Sequence, residues 1–294
     1  MCIMSGEKDS SLAVGGQALI EGVMMRSGDT MVMCVRQPDN QIASHVIEIN
    51  SVTKRSRVLG LPFIRGVATL FETMYYGVKS MMYSANVALE EEDDEFNLFD
   101  YALLIGMLLL MNGIFIAIPF ILTNWLGLTG FMFNVVESLV RLGMFTLYLW
   151  GISKWGEVAR VLQYHGAEHK AINAYEAGSD MTPSSVATYS RLNPRCGTSF
   201  MFLTVLTSMA LFALIPRTTF ALRLAYRLVL IPFIAGVSYE VLKISDKYKD
   251  SALMQIIIKP GLAFQRLTTQ EPTEDMIEVA VESLKRVEEI KNSS

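Results

Sequence analysis

Tyr101 to Leu122 holds no Asp, Glu, Lys, Arg or His. About 20 apolar residues wound as a helix match the hydrocarbon thickness of a bilayer, so this run predicts a transmembrane helix. Phe131 to Ile152 is a second such run and carries Glu137 and Arg141, spaced i, i+4 so that the two side chains can pair and lower the cost of burial. Ser199 to Ile215 predicts a shorter third span, and Leu224 to Leu242 a fourth, with Pro232 as a kink and Glu240 near its end. Only 18 % of the chain is charged, 51 % is hydrophobic, and the mean hydropathy is +0.35. The expected fold is an α-helical integral membrane protein with about four transmembrane helices and a small cytoplasmic α+β part.

Loop charges orient the spans. Asn124-Trp-Leu-Gly127, after the first span, has no Lys or Arg, whereas 153–198 carries Lys154, Arg160, Lys170, Arg191 and Arg195. The tail after the fourth span adds Lys243, Lys247, Lys249 and Lys259. Basic loops stay inside, so both chain ends are expected in the cytoplasm. Met1 to Ser11 lacks a basic stretch followed by an apolar core, so no signal peptide is expected. The expected division is a strand-rich region over 1–61, an amphipathic helix and acidic linker over 62–96, the membrane region over 97–250 enclosing loop 153–198, and an interfacial segment with a soluble helix over 251–294.

In the N-terminal region, Val14 to Arg26 predicts a strand that approaches another backbone closely, with Glu21 set among apolar neighbours, where it could pair with Arg26 or face water at a strand edge. Met31–Val35 and Gln41–Ile49, joined by Pro38-Asp-Asn40, predict a hairpin, and His45 on its second arm is expected to be structural. Lys54, Arg55 and Arg57 form a basic cluster, read as a solvated loop. Pro62 to Leu89 repeats apolar residues at three and four and predicts a helix packed on the bundle or lying in the interface; the acidic run Glu90 to Glu95 ends it. Ile256 to Phe264, with its Pro-Gly, predicts an interfacial or re-entrant piece. Thr273 to Ile290 predicts a soluble helix, capped by Thr273, that docks on the N-terminal strands.

Two of the chain's three histidines, His165 and His169, stand four apart with Glu168 between them. On a helix the two imidazoles share a face one turn apart and can hold one divalent ion. The order is that of the inverted zincin motif, in which the glutamate is general base to a metal-bound water. The same residues also suit a solvated polar helix face. Glu176, seven residues after His169, is a further candidate ligand or an imidazole-orienting group, and Asn173 could orient an imidazole by hydrogen bonding. Asn193-Pro-Arg-Cys-Gly-Thr-Ser199 leads into the third span and sets Cys196 near a helix N-terminus beside Arg195. Both effects favour a thiolate, which could be a third ligand; a small buried cysteine filling a helix start fits the position as well.

Gly15-Gly-Gln-Ala-Leu-Ile-Glu-Gly-Val-Met-Met-Arg26, Arg65-Gly66, His165-Gly-Ala-Glu-His-Lys170 and Pro194-Arg-Cys-Gly-Thr198 together resemble the signatures of the YqhQ-like bacterial membrane protein family. The resemblance runs from about Val14 to the C-terminal helix. That family is of unknown function and has been described as predicted metal-dependent enzymes. The resemblance implies a multi-pass protein of the bacterial inner (plasma) membrane. It implicates His165, Glu168 and His169, with Glu21 and Cys196 in support.

The expectation is a membrane-embedded metal-dependent hydrolase at the cytoplasmic face. Its cofactor would be a divalent metal such as zinc, held by His165, His169 and one of Glu176, Cys196 or Glu21, with Glu168 as catalytic base. A non-catalytic scaffold or assembly factor is the alternative. Glu137, Arg141 and Glu240 also prompt ion- or proton-coupled transport, which with four spans would need a homo-oligomer. The partners expected are the lipid bilayer and an unidentified substrate or protein. A net charge of −4 argues against nucleic acid, and three cysteines without paired spacing fit a reducing compartment.

Overall fold

The computed structural model describes residues 14–49, 51, 53, 58–61, 64–89, 98–212, 214–215, 219–248 and 251–293. Met1 to Ser11, the basic cluster Lys54, Arg55 and Arg57, and the acidic run Glu90 to Glu95 lie outside them. Four strands, β1 (Val14–Leu19), β2 (Gly22–Ser27), β3 (Thr30–Arg36) and β4 (Ile42–Glu48), form an antiparallel meander in chain order. The expected single strand over Val14 to Arg26 is therefore a hairpin. Its turn, Ile20-Glu21, has Glu21 at φ 50°, a left-handed value that non-glycine residues rarely adopt. The expected second hairpin forms, with Asn40 at φ 65° in its turn and the Gln41 N–H donating to the Asp39 carboxylate.

Side chains alternate across a strand, and both faces of this sheet are covered. Val23, Met25, Val32 and Cys34 face one core; Met24, Met31, Met33 and Val35 face another. Helix α1 (Ile64–Leu89) covers the second face with Tyr76, Tyr83 and Val87. Its small residues let it lie close: Gln17 donates to the Gly77 carbonyl, and the Ile20 N–H donates to Ser84. At its other end α1 meets the bundle, where Arg65 grips Glu240 through two hydrogen bonds of 2.8 and 2.6 Å and Gly66 lies against Tyr239.

The bundle comprises α2 (Leu98–Trp125), α3 (Gly130–Ile152), α6 (Gly197–Phe212), α7 (Phe220–Lys247) and α8 (Ala252–Thr268); α4 (Gly156–Glu176) and the short α5 (Pro183–Ala187) separate α3 from α6. Among the described residues, Gly130–Ile152 and Ala225–Ser245 are long and apolar enough to cross a membrane. Gly113–Trp125, within α2, and Gly197–Phe212 are apolar helical stretches of fewer than 18 residues; the expected third span falls on the latter, a helix of 16 residues. Ile256 to Phe264 is not a broken piece. It continues through Pro260 within α8, and Gly261 brings that helix against Ser199 on α6.

The final helix, α9 (Glu274–Asn292), docks on the strands as expected, burying Met276, Ile277, Ala280, Leu284 and Val287 against the α4-facing side of the sheet. Thr273 precedes it without a side-chain cap, and entry is fixed instead by Arg36 on β3, which donates to the Asp275 carbonyl and the Glu278 carboxylate. Ser283 donates to the Val32 carbonyl from within the packed face. Leu284→Ala is expected to remove about 2–5 kcal/mol of stability. A thermal melt of the purified protein reads this, as a fall in the transition midpoint.

Candidate metal centre

Helix α4 carries the histidine motif through the middle of the molecule. It starts after Trp155 with Glu157 in the positive first turn, and it ends in a reverse turn in which Gly178 takes φ 67°. The Gly178 N–H donates to the Tyr175 carbonyl and the Ser179 N–H to the Ala174 carbonyl, which satisfies the helix end. Every residue from Tyr164 to Ile172 is buried, because β1, α9 and the segment after α8 surround this stretch. Gly166 admits that segment: a Cβ there would lie 2.1 Å from the Gln270 carbonyl oxygen, and the Gln270 N–H donates to the Leu162 carbonyl.

The crossing segment presents the Thr268 carbonyl to His165 Nδ1 at 2.7 Å. One turn on, His169 Nδ1 meets the Arg191 carbonyl at 2.6 Å. A carbonyl only accepts, so each Nδ1 carries a proton and, in the neutral rings, each Nε2 keeps its lone pair. The two rings converge, with centroids 4.4 Å apart. His165 Nε2 is 3.2 Å from Cys196 Sγ, and His169 Nε2 has no hydrogen-bond partner. One donor atom from each of His165, His169 and Cys196 lies within 4.8 Å of the others. Cys196 stands just before α6, where its sulfur accepts the Thr198 N–H at 3.4 Å. Two imidazoles tautomerically fixed by backbone carbonyls, with a thiol, form a zinc-type donor set, so this cluster could hold a metal ion.

Glu168 is fully buried, and neither carboxylate oxygen has a hydrogen-bond partner. It lies against Gly16 on β1, where a Cβ would come within 2.8 Å of its Cγ. Gly16 thus makes room for a carboxylate at the edge of the histidine cluster. Glu176 and Glu21 lie elsewhere. Glu176 is paired with Arg195, and Glu21, in the strained turn, is gripped by Arg160 and accepts from the Tyr164 hydroxyl at 3.2 Å. Arg26, which could have paired with Glu21, is bound to Glu72 instead. Asn173 does not touch an imidazole. It donates to the carbonyls of Ser190 and Leu192, on either side of the carbonyl that holds His169.

Gln265 is a residue the sequence did not single out. Buried in α8, it accepts from the Asn193 N–H and donates to the Asn193 carbonyl and the Ser199 hydroxyl, tying α8 to the cysteine loop. Lys170 donates to the carbonyls of Ala187 and Tyr189 and pairs with Glu271, fixing two loops from one side chain. Gln265 shares its helix with Gln255, Lys259 and Arg266, so nothing in the sequence set it apart. The backbone acceptors of the histidines leave no sequence signal.

Burial pushes the Cys196 thiol up, but the facing charges of His165 and His169 outweigh it and hold the thiol well below its ordinary range. For His169 burial acts downward, and the charge of Cys196, with Glu168 and the Arg191 carbonyl, lifts it above the usual imidazole value. Cys34, in the sheet core, is pushed up to about 12 by burial. Below the ordinary imidazole pKa of about 6.5, His169 contributes its full stabilisation, which is lost as pH rises through its raised folded value. Cys196 contributes fully above the ordinary thiol value of about 8.5, and that contribution is lost as pH falls through its depressed value. Metal-free protein at neutral pH should therefore show the ultraviolet absorbance of a thiolate, absent in Cys196→Ser and retained in Cys34→Ser. Gly166→Ala should cost about 1–3 kcal/mol by displacing the crossing backbone. Gly156→Ala, where no atom comes within 4 Å of the new Cβ, should leave the melting midpoint unchanged.

Residues 61–290 match the model of a family described as protein of unknown function (DUF1385). An uncharacterized protein, YqhQ of Bacillus subtilis (strain 168), is 34 % identical over an alignment covering 92 % of this chain and 91 % of that protein. No solved structure matches. The chain belongs to the YqhQ-like DUF1385 family of unknown function.

Proposed function

We propose that this protein is a membrane-embedded, metal-dependent hydrolase working at the cytoplasmic face of the bacterial inner membrane, with both chain ends inside. The observation that carries the reading is the convergence of His165, His169 and Cys196, each imidazole held through Nδ1 by a backbone carbonyl so that its Nε2 is directed to the cluster. His165, His169 and Cys196 are the ligands in this reading; Glu176 and Glu21, held by arginines, are not. Zinc held there would act as a Lewis acid and would lower the pKa of a water towards about 7.

The chain's own residues divide the remaining work. Glu168, buried without hydrogen-bond partners, is the base that takes a proton from the attacking water and returns it to the leaving oxygen or nitrogen as an ester, amide or phosphoester is cleaved. Thr268 and Arg191 orient the imidazoles through their carbonyls. Gln265 and the crossing segment exclude bulk water, which strengthens each of these electrostatic contacts.

The 3.2 Å contact between His165 Nε2 and Cys196 Sγ favours one second reading, a cysteine nucleophile paired with histidine. Metal analysis of the purified protein separates the two. The metal reading expects about one zinc per chain, lost in His169→Ala and Cys196→Ser. It also expects Glu168→Gln to keep the metal while hydrolysis of ester or phosphoester probes falls by a factor of about 100 or more. A folded wild type without metal would end the metal reading and leave the cysteine one.

A further inference from the structure

The bundle has a second charged cluster, on the side away from the sheet. Glu137 on α3 receives Arg141 from the same helix at 2.7 Å and Arg227 from α7 at 2.5 Å through each of two nitrogens. Glu137 is 2 % and Arg227 6 % exposed. Arg141 Nε also donates to the Phe115 carbonyl at 3.2 Å. That carbonyl is free because Pro119, four residues later, has no N–H to return to it. The Arg227 guanidinium lies over the Phe212 ring at 5.0 Å, and its Nε has no hydrogen-bond partner.

Two guanidinium groups on one carboxylate leave one positive charge in excess inside apolar surroundings. A buried excess charge is costly unless an opposite charge meets it. Among the described residues no other carboxylate is paired with either guanidinium. Across 101–152 and 199–239 the charged residues are Glu137, Arg141, Arg217, Arg223 and Arg227, four arginines against one acid. The far side of a membrane is ordinarily poor in arginine, so this excess is not explained by orientation. Glu137 lies seven residues after Gly130 and Arg227 seven after Phe220, each about 10 Å along its helix from the far end. That depth is within reach of a lipid phosphate or of an anion entering from the aqueous side.

We propose that Arg227 and Arg141, bridged by Glu137 and backed by Phe212, form a binding site for a phosphate-class anion at the end of the bundle opposite the sheet. The anion neutralises the excess guanidinium charge, and the planar donor fork of arginine suits phosphate oxygens. The site shares the membrane topology of the preceding reading but not its metal centre, so loss of either leaves the other standing.

The test uses the full chain, purified in neutral detergent and stripped of lipid. Its melting midpoint is followed against inorganic phosphate and, separately, against phosphatidylglycerol in mixed micelles, with diacylglycerol as the uncharged control. A rise with phosphatidylglycerol alone identifies a lipid phosphate as the ligand, and a rise with both identifies a free anion. In either case Arg227→Gln should weaken binding about tenfold or more, because Glu137 keeps its neutral pairing with Arg141 while the excess charge is gone. If Arg227→Gln fails to fold, Arg141→Gln, which leaves the bidentate pair, takes its place with the same expected loss. No response of the wild type to either probe, or an unchanged affinity in the folded variant, overturns the proposal.

Discussion

Two backbone carbonyls govern the centre of this molecule. Thr268 and Arg191 accept from the Nδ1 atoms of His165 and His169, and both are brought there by segments distant in sequence from α4. Without these acceptors each imidazole could hold its proton on either nitrogen and rotate. With them, both Nε2 atoms face Cys196. Much of the surrounding architecture secures that arrangement: Gly166 lets the Thr268 segment cross α4, Asn173 brackets the Arg191 carbonyl, and Gln265 locks α8 to the cysteine loop.

The cluster could hold a metal ion, and its unpartnered atoms are costly. A buried polar atom left without a partner costs about 1–3 kcal/mol, and more when charged. Here both oxygens of Glu168 and Nε2 of His169 are in that state within one helical turn. A divalent ion held by His165, His169 and Cys196 would give His169 Nε2 a partner.

Helix α1 couples this centre to the bundle. One end packs its glycine and serines on the sheet that carries Gly16; the other pairs Arg65 with Glu240 on α7. A movement of the bundle against the sheet would therefore be felt at the strand lying over Glu168. The three acidic or basic groups that prompted the transport reading, Glu137, Arg141 and Glu240, are all engaged in ion pairs.

Local pattern was enough to place the apolar helices, the second hairpin, the docking of α9 and the one-turn spacing of His165 and His169. Periodicity reports the average surroundings of a segment, and these elements have consistent ones. It missed the turn at Ile20-Glu21 because the sheet is buried on both faces, so its strands run apolar without alternation and a glutamate takes the positive φ that glycine usually signals. Tertiary structure alone brought Cys196, 31 residues from His165, to the two imidazoles and set Glu176 and Glu21 apart from them. It also decided that Arg160 would claim Glu21, 139 residues away. Such choices rest on non-local approach and on main-chain carbonyls, which every residue possesses and which therefore leave no mark in the sequence.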